Sequence, residues 1–134
     1  MRNTLLSALF LAPVLGGVTL LSGCLAVAAG AVGIVVSQEF IDNAHVSYFK
    51  QDSAQVWATV KSTLSHMSTE PVDTDEDLKA AKARIDNAIV MVQVETYDVG
   101  ETRVRVAAKK LMVYSGEIAE EVLRKIRRNL EEDL

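Results

Sequence analysis

From Ala44 onward the spacing of apolar positions shifts between period two and the three-to-four period of a helix, and each shift marks an element. His45-Val46-Ser47-Tyr48-Phe49-Lys50 is rich in aromatic and β-branched residues and predicts a strand. Asp52-Ser53 then offers a helix cap, and Val56, Trp57, Val60, Leu64 and Met67 recur at intervals of three and four, so an amphipathic helix follows. Glu70-Pro71-Val72 ends it, with room for a short extra strand near Val72, and Asp73 to Asp77 reads as an acidic loop.

Alternation dominates the next thirty residues or so, where Ala81, Ala83 and Ile85, then Val90, Val92 and Val94, then Val104, Val106 and Ala108 occupy every second position. Three strands are predicted. A two-residue turn at Asp86-Asn87 sets Ile85 opposite Ala88, Ala83 opposite Val90 and Ala81 opposite Val92. A three-residue turn at Asp98-Val99-Gly100, with the glycine left-handed, sets Val94 opposite Val104, Val92 opposite Val106 and Val90 opposite Ala108. Both turns put the valines on one face, and a one-residue slip in either would turn them outward. After the link "KKLMVYSG", Ser115-Gly116 caps a second helix with Ile118, Val122, Leu123, Ile126 and Leu130 as its apolar stripe. The expected fold is α+β: a two-layer sandwich with an antiparallel sheet, in the order strand, helix, three-strand meander, helix, both helices covering the valine face around Trp57.

The N-terminal end has another pattern. Arg2 precedes an apolar run from Leu5 to Leu21, which closes on Ser22-Gly23-Cys24, the only cysteine in the chain. This predicts three parts: an export signal over residues 1–23, a tether over 24–43 and a small domain over 44–134. Leu25 to Val36, "LAVAAGAVGIVV", is too short to cross hydrocarbon as a helix, which takes about 20 residues. Its small residues Ala26, Ala29, Gly30 and Gly33 would permit close packing on a membrane partner, and a simple apolar tether at the lipid surface is the plainer expectation.

Leu21-Ser22-Gly23-Cys24 resembles the bacterial lipobox, in which the cysteine thiol is diacylated and the peptide cut before it. Together with the Ala/Gly/Val-rich tether, the aromatic first strand, the helix carrying "VWATVKSTL", the meander and the final helix, it resembles a family of small uncharacterised bacterial lipoproteins. The link "KKLMVYSG" is longer and more apolar than that pattern. The resemblance implies a lipid-anchored protein of the bacterial cell envelope, with a membrane reached through the anchor at Cys24. No Asp follows the cysteine at the second position, where Leu25 stands; in lipoproteins of this type that implies the outer membrane, facing the periplasm.

Charge narrows the partners. Residues 1–23 carry only Arg2, so the remainder has 13 basic against 18 acidic residues and a formal charge of −5, which speaks against nucleic acid. Asp73-Thr74-Asp75-Glu76-Asp77 imitates the start of a calcium loop, but Leu78 stands where the turn glycine belongs and Arg84 where the bidentate glutamate belongs. His45 and His66 lie in different predicted elements, one read as a strand surface residue and the other as a complement to a helix end, so no metal or cofactor is expected. No Gly-x-Ser-x-Gly elbow or phosphate-cradling glycine loop is present.

The remaining candidate is the sheet face opposite the valines. The predicted register gathers Lys82, Arg84, Arg105 and Lys109 around Ile89 and Met91, with Glu95 opposite Arg103, and this suits an anionic lipid or an acidic envelope protein. Leu111-Met112-Val113-Tyr114 is the next candidate. The expected function is a non-catalytic interaction domain held at a membrane; the alternative is a carrier or sensor with a small-lipid pocket between sheet and helices.

Overall fold

The computed structural model describes residues 34–134, so the predicted signal segment, Cys24 and the greater part of the tether lie outside the described residues. The elements are α1 (Gln38–Asn43), β1 (His45–Phe49), α2 (Ser53–Met67), β2 (Asp73–Asp75), β3 (Ala80–Ile85), β4 (Ala88–Asp98), β5 (Glu101–Lys110), β6 (Val113–Tyr114) and α3 (Gly116–Glu132). The strands form one antiparallel sheet in the order β1-β5-β4-β3-β2, and β6 pairs with the end of β5.

Every inward pair expected from the two turns is present. Ala81 faces Val92, Ala83 faces Val90, Ile85 faces Ala88, and Val94, Val92 and Val90 face Val104, Val106 and Ala108. Asp86 and Asn87 both have positive φ, 50° and 61°, the twist that lets a two-residue turn continue a right-handed ribbon. At the other turn the ladder shifts by one residue between Thr96 and Asp98, so that Asp98 pairs with Glu101 and the tip is Val99-Gly100. Gly100 takes φ 68° there. The extra residue, Tyr97, is absorbed as a bulge, which is why the inner register survives a turn shorter than expected.

Both helices lie on the valine face. α2 contacts β3, β4 and β5, α3 contacts β5 and β1, and the two helices contact each other. Val56, Val60, Leu64, Val122, Ile126 and Leu130 meet Val90, Val92, Val94, Val104 and Val106 in a core where none of these side chains is more than 2% exposed. The helix starts are capped as their sequences predict: the Asp52 carboxylate accepts from the Ala54 N–H, and the Ser115 hydroxyl accepts from the Ile118 N–H. Buried Thr63 accepts a hydrogen bond from the Asn129 amide at 2.8 Å, so the polar group between the helices is satisfied. Gly116 opens α3 hard against β1, where an added Cβ would meet the His45 Nε2 at 2.9 Å.

Three features depart from the expected elements. The short extra strand allowed near Val72 is present as the edge strand Asp73-Thr74-Asp75, so the acidic loop is shorter than expected and its turn begins only at Glu76. Within it the Asp75 carboxylate accepts from the N–H groups of Asp77 and Leu78, so the acidic run is used for local turn chemistry. A short helix, α1, forms before Ala44 and contacts β5, so the packed region starts upstream of the boundary at residue 44. The link after β5 folds back as β6 through a two-residue turn at Leu111-Met112, both with positive φ, 50° and 67°.

Candidate functional site

The face opposite the helices carries the residues expected there. Lys82 pairs with Met91, Arg84 with Ile89, Gln93 with Arg105, Ile89 with Lys109 and Glu95 with Arg103, all on that side. Its apolar members are only partly open: Ile89 is 38% exposed and Met91 is half-buried. Phe40 is buried outside the main core, while its neighbour Glu39 accepts from the Lys109 ammonium at 3.1 Å, which places α1 over the β5 part of this face. Ala107 and Gln93, which point the same way, are buried as well.

The positive rim is matched by carboxylates. Arg105 reaches both Glu95 and Gln93, Arg103 reaches Glu95 through two nitrogens, Lys109 is held by Glu39, and Arg84 lies 3.4 Å from Glu70. Lys82 stands opposite Asp73 on β2. Cross-strand reasoning finds Glu95, which is a diagonal neighbour of Arg105. It does not find Glu39 or Glu70, because both come from segments outside the meander. The six residues Lys82, Arg84, Ile89, Met91, Arg105 and Lys109 thus share one face, but three of their four cations are engaged by acids of the same chain.

Glu95 is the electrostatic centre of the face. Burial pushes its carboxyl up, yet the Arg103 hydrogen bond and the charges of Arg105 and Arg103 together outweigh this and hold it below the usual carboxylate range. A carboxyl with a lowered folded-state pKa stabilises fully above its unfolded value and loses that contribution as pH falls through the ordinary range toward the lowered one. Glu95→Gln should therefore destabilise the domain by about 1–2 kcal/mol at neutral pH, since it strips an ionic partner from two guanidinium groups, one of them only 14% exposed. Thermal melts between pH 7 and pH 3 should show the gap between the two proteins narrowing toward the acid end. A gap of constant size across that range would assign the loss to packing instead.

Beside this cluster is an aromatic group that pattern reading did not single out. The rings of Tyr48 and Tyr97 meet edge to face at 4.9 Å, and the Arg103 guanidinium lies 5.4 Å from the Tyr97 ring centre. Tyr97 follows Glu95 by two on β4 and Tyr48 pairs with Arg103, so alternation puts both rings on this face, but it carries no signal for which outward side chains meet.

Elsewhere the polar groups serve the fold. The Trp57 indole donates to the Glu76 carboxylate at 2.7 Å and Lys61 donates to the same group, which ties the turn after β2 to α2 and holds the Glu76 carboxyl below its usual range. His66 pairs with the Ser62 carbonyl in the last turn of α2. His45 is less open than a strand surface residue, because β1 turns it toward α3, where its ring is 3.5 Å from Glu120. Among the described residues no group of three His, Cys, Asp or Glu is placed to hold a metal ion.

Among the described residues, the β5–β6 tip carries the longest run of consecutive exposed large apolar side chains. Leu111, Met112 and Val113 are 88%, 82% and 68% exposed. Lys109, at the base of the hairpin, lies 4.9 Å from the Tyr114 ring centre, and Glu39 of α1 interacts with both side chains. No known family model matches the chain, and no curated protein or solved structure shows a significant likeness to it.

Proposed function

We propose that the chain is a lipid-anchored protein of the bacterial cell envelope whose α+β domain is a non-catalytic docking module, held at the outer membrane on its periplasmic side. The observation that carries this reading is the lone Cys24 closing an apolar run as Leu-Ser-Gly-Cys, followed by an apolar stretch and then a domain with its own packed core. Two or three acyl chains at one cysteine hold a domain durably, whereas one holds it marginally. No helix among the described residues is long and apolar enough to cross a membrane, so the anchor would fall to the N-terminal part.

The packing favours a docking module over a carrier. The space between sheet and helices is occupied by side chains such as Val60, Leu64, Val92 and Ile126, each 0–1% exposed. Surface depressions run instead along charged ground, as in the groove lined by Met67, Glu121, Arg124, Lys125 and Arg128. Carriers of apolar ligands need an apolar cavity. The test is growth of cells expressing the chain with labelled palmitate, followed by separation of inner and outer membranes. Label in the protein and recovery in the outer-membrane fraction are expected; an unlabelled chain would end the lipid-anchor reading.

A further inference from the structure

We propose that the Leu111–Val113 tip of the β5–β6 hairpin inserts into the phospholipid bilayer beside the anchor, orienting the domain on the membrane; this rests on the lipid-anchored reading above.

Position is the first argument. α1 runs from Gln38, near the Lys109 end of β5, toward β1, whose first residue His45 pairs with Val106 further down the same strand. The chain coming from Cys24 therefore enters the domain at the end of the sheet that carries the hairpin tip. Val35, 70% exposed, belongs to that incoming segment. The fourteen residues from Cys24 to Gln38 (38 − 24) span at most about 50 Å when extended, enough to leave the orientation of the domain open unless a second contact sets it.

Chemistry is the second. β5 ends in two tips of opposite character. At its start Val99, 99% exposed, is bracketed by Asp98 and Glu101, which belong in water. At its far end Leu111 and Met112 project beyond the Lys110–Val113 pair, with exposed Val113 at their base and Lys109 opposite Tyr114 one pair further in; lysine and tyrosine suit the boundary, since lysine extends its ammonium back to water and tyrosine combines an apolar ring with a polar hydroxyl. Asp86 and Glu117 line the same surface depression as Lys110, so net positive charge is not the attraction; the tip suits hydrocarbon contact with a neutral lipid surface.

Backbone conformation is the third. Positive φ at two successive positions is the province of Asn and Gly, and Leu111 and Met112 occupy it at a cost in strain while exposing their side chains. Nothing inside the domain gains from those two side chains, whereas a bilayer would.

The lone cysteine makes the test direct. Once Cys24 is acylated, Met112→Cys or Val99→Cys in the full chain supplies the single free thiol, which takes an environment-sensitive dye. In phosphatidylcholine vesicles the dye at position 112 should emit at shorter wavelength and be quenched by iodide at least several-fold less than the dye at 99; chains facing the lumen protect both positions alike. In a second pair the dye sits at Val113→Cys, with and without Leu111→Asn/Met112→Gly. The Asn-Gly turn should keep or raise Tm and abolish the protection.

Equal quenching at 112 and 99, or protection that survives the Asn-Gly turn, would overturn the insertion while leaving the anchor intact. Protection in native envelopes but not in pure lipid would assign the tip to a protein partner and overturn it as well. Dye uptake by the otherwise unchanged chain would reveal a free Cys24 and end both readings.

Discussion

Val92→Asp should abolish cooperative folding of the α+β domain. Val92 is 1% exposed in the middle strand of the meander, with Ala81 on one side and Val106 on the other, under the helices. A carboxylate there has no ionic partner in the apolar core around it. It either stays charged in low dielectric or takes up a proton at a cost that rises with pH, and both routes cost at least several kcal/mol. Domains of this size have about 5–15 kcal/mol in all. Circular dichroism during heating should show no sigmoidal transition, whereas Val92→Ile, which keeps the apolar character, should melt within several degrees of the unchanged chain. A near-normal melt for Val92→Asp would mean that this face is not the core.

On the lipid-anchor reading, Cys24→Ala should stop maturation altogether. The acylated species is a thioether, and alanine has no sulfur to form it. The variant is expected to accumulate as the uncut 14.6 kDa chain, without palmitate label, held by its own apolar N-terminal run. Each acyl methylene withdrawn from water contributes about 0.8 kcal/mol, so loss of two long chains removes far more affinity than any substitution on the folded domain could. Intact-mass analysis of the membrane fraction decides it. An alanine variant cut before residue 24, or one that still carries label, would show that the thiol is not the acceptor.

The sheet was legible because its determinants are local and redundant. Asp86-Asn87 and Gly100 are residues that tolerate positive φ, and the valine alternation between them agrees with both turns, so two weak signals specified one register. Legibility failed where a single residue or a distant partner decides. α1 is six residues long with one buried side chain, Phe40, which is too little for a period to show. β6 depends on Leu111 and Met112 accepting backbone angles that their side chains disfavour, so propensity pointed away from the hairpin. At the candidate face, sequence predicted which side each residue occupies but not its charge balance, since Glu39 and Glu70 reach Lys109 and Arg84 across the fold.

β2 has a further effect on how copies of the protein meet. A sheet that ends in open backbone donors and acceptors can template another strand. Here the β3 side of the sheet ends in three residues only, with Asp73 and Asp75 facing one way along them. Two such borders approaching each other would bring four carboxylates together before any backbone pairing could form. The acidic run that resembles an ion site from its composition thereby works as a guard against strand-to-strand polymerisation.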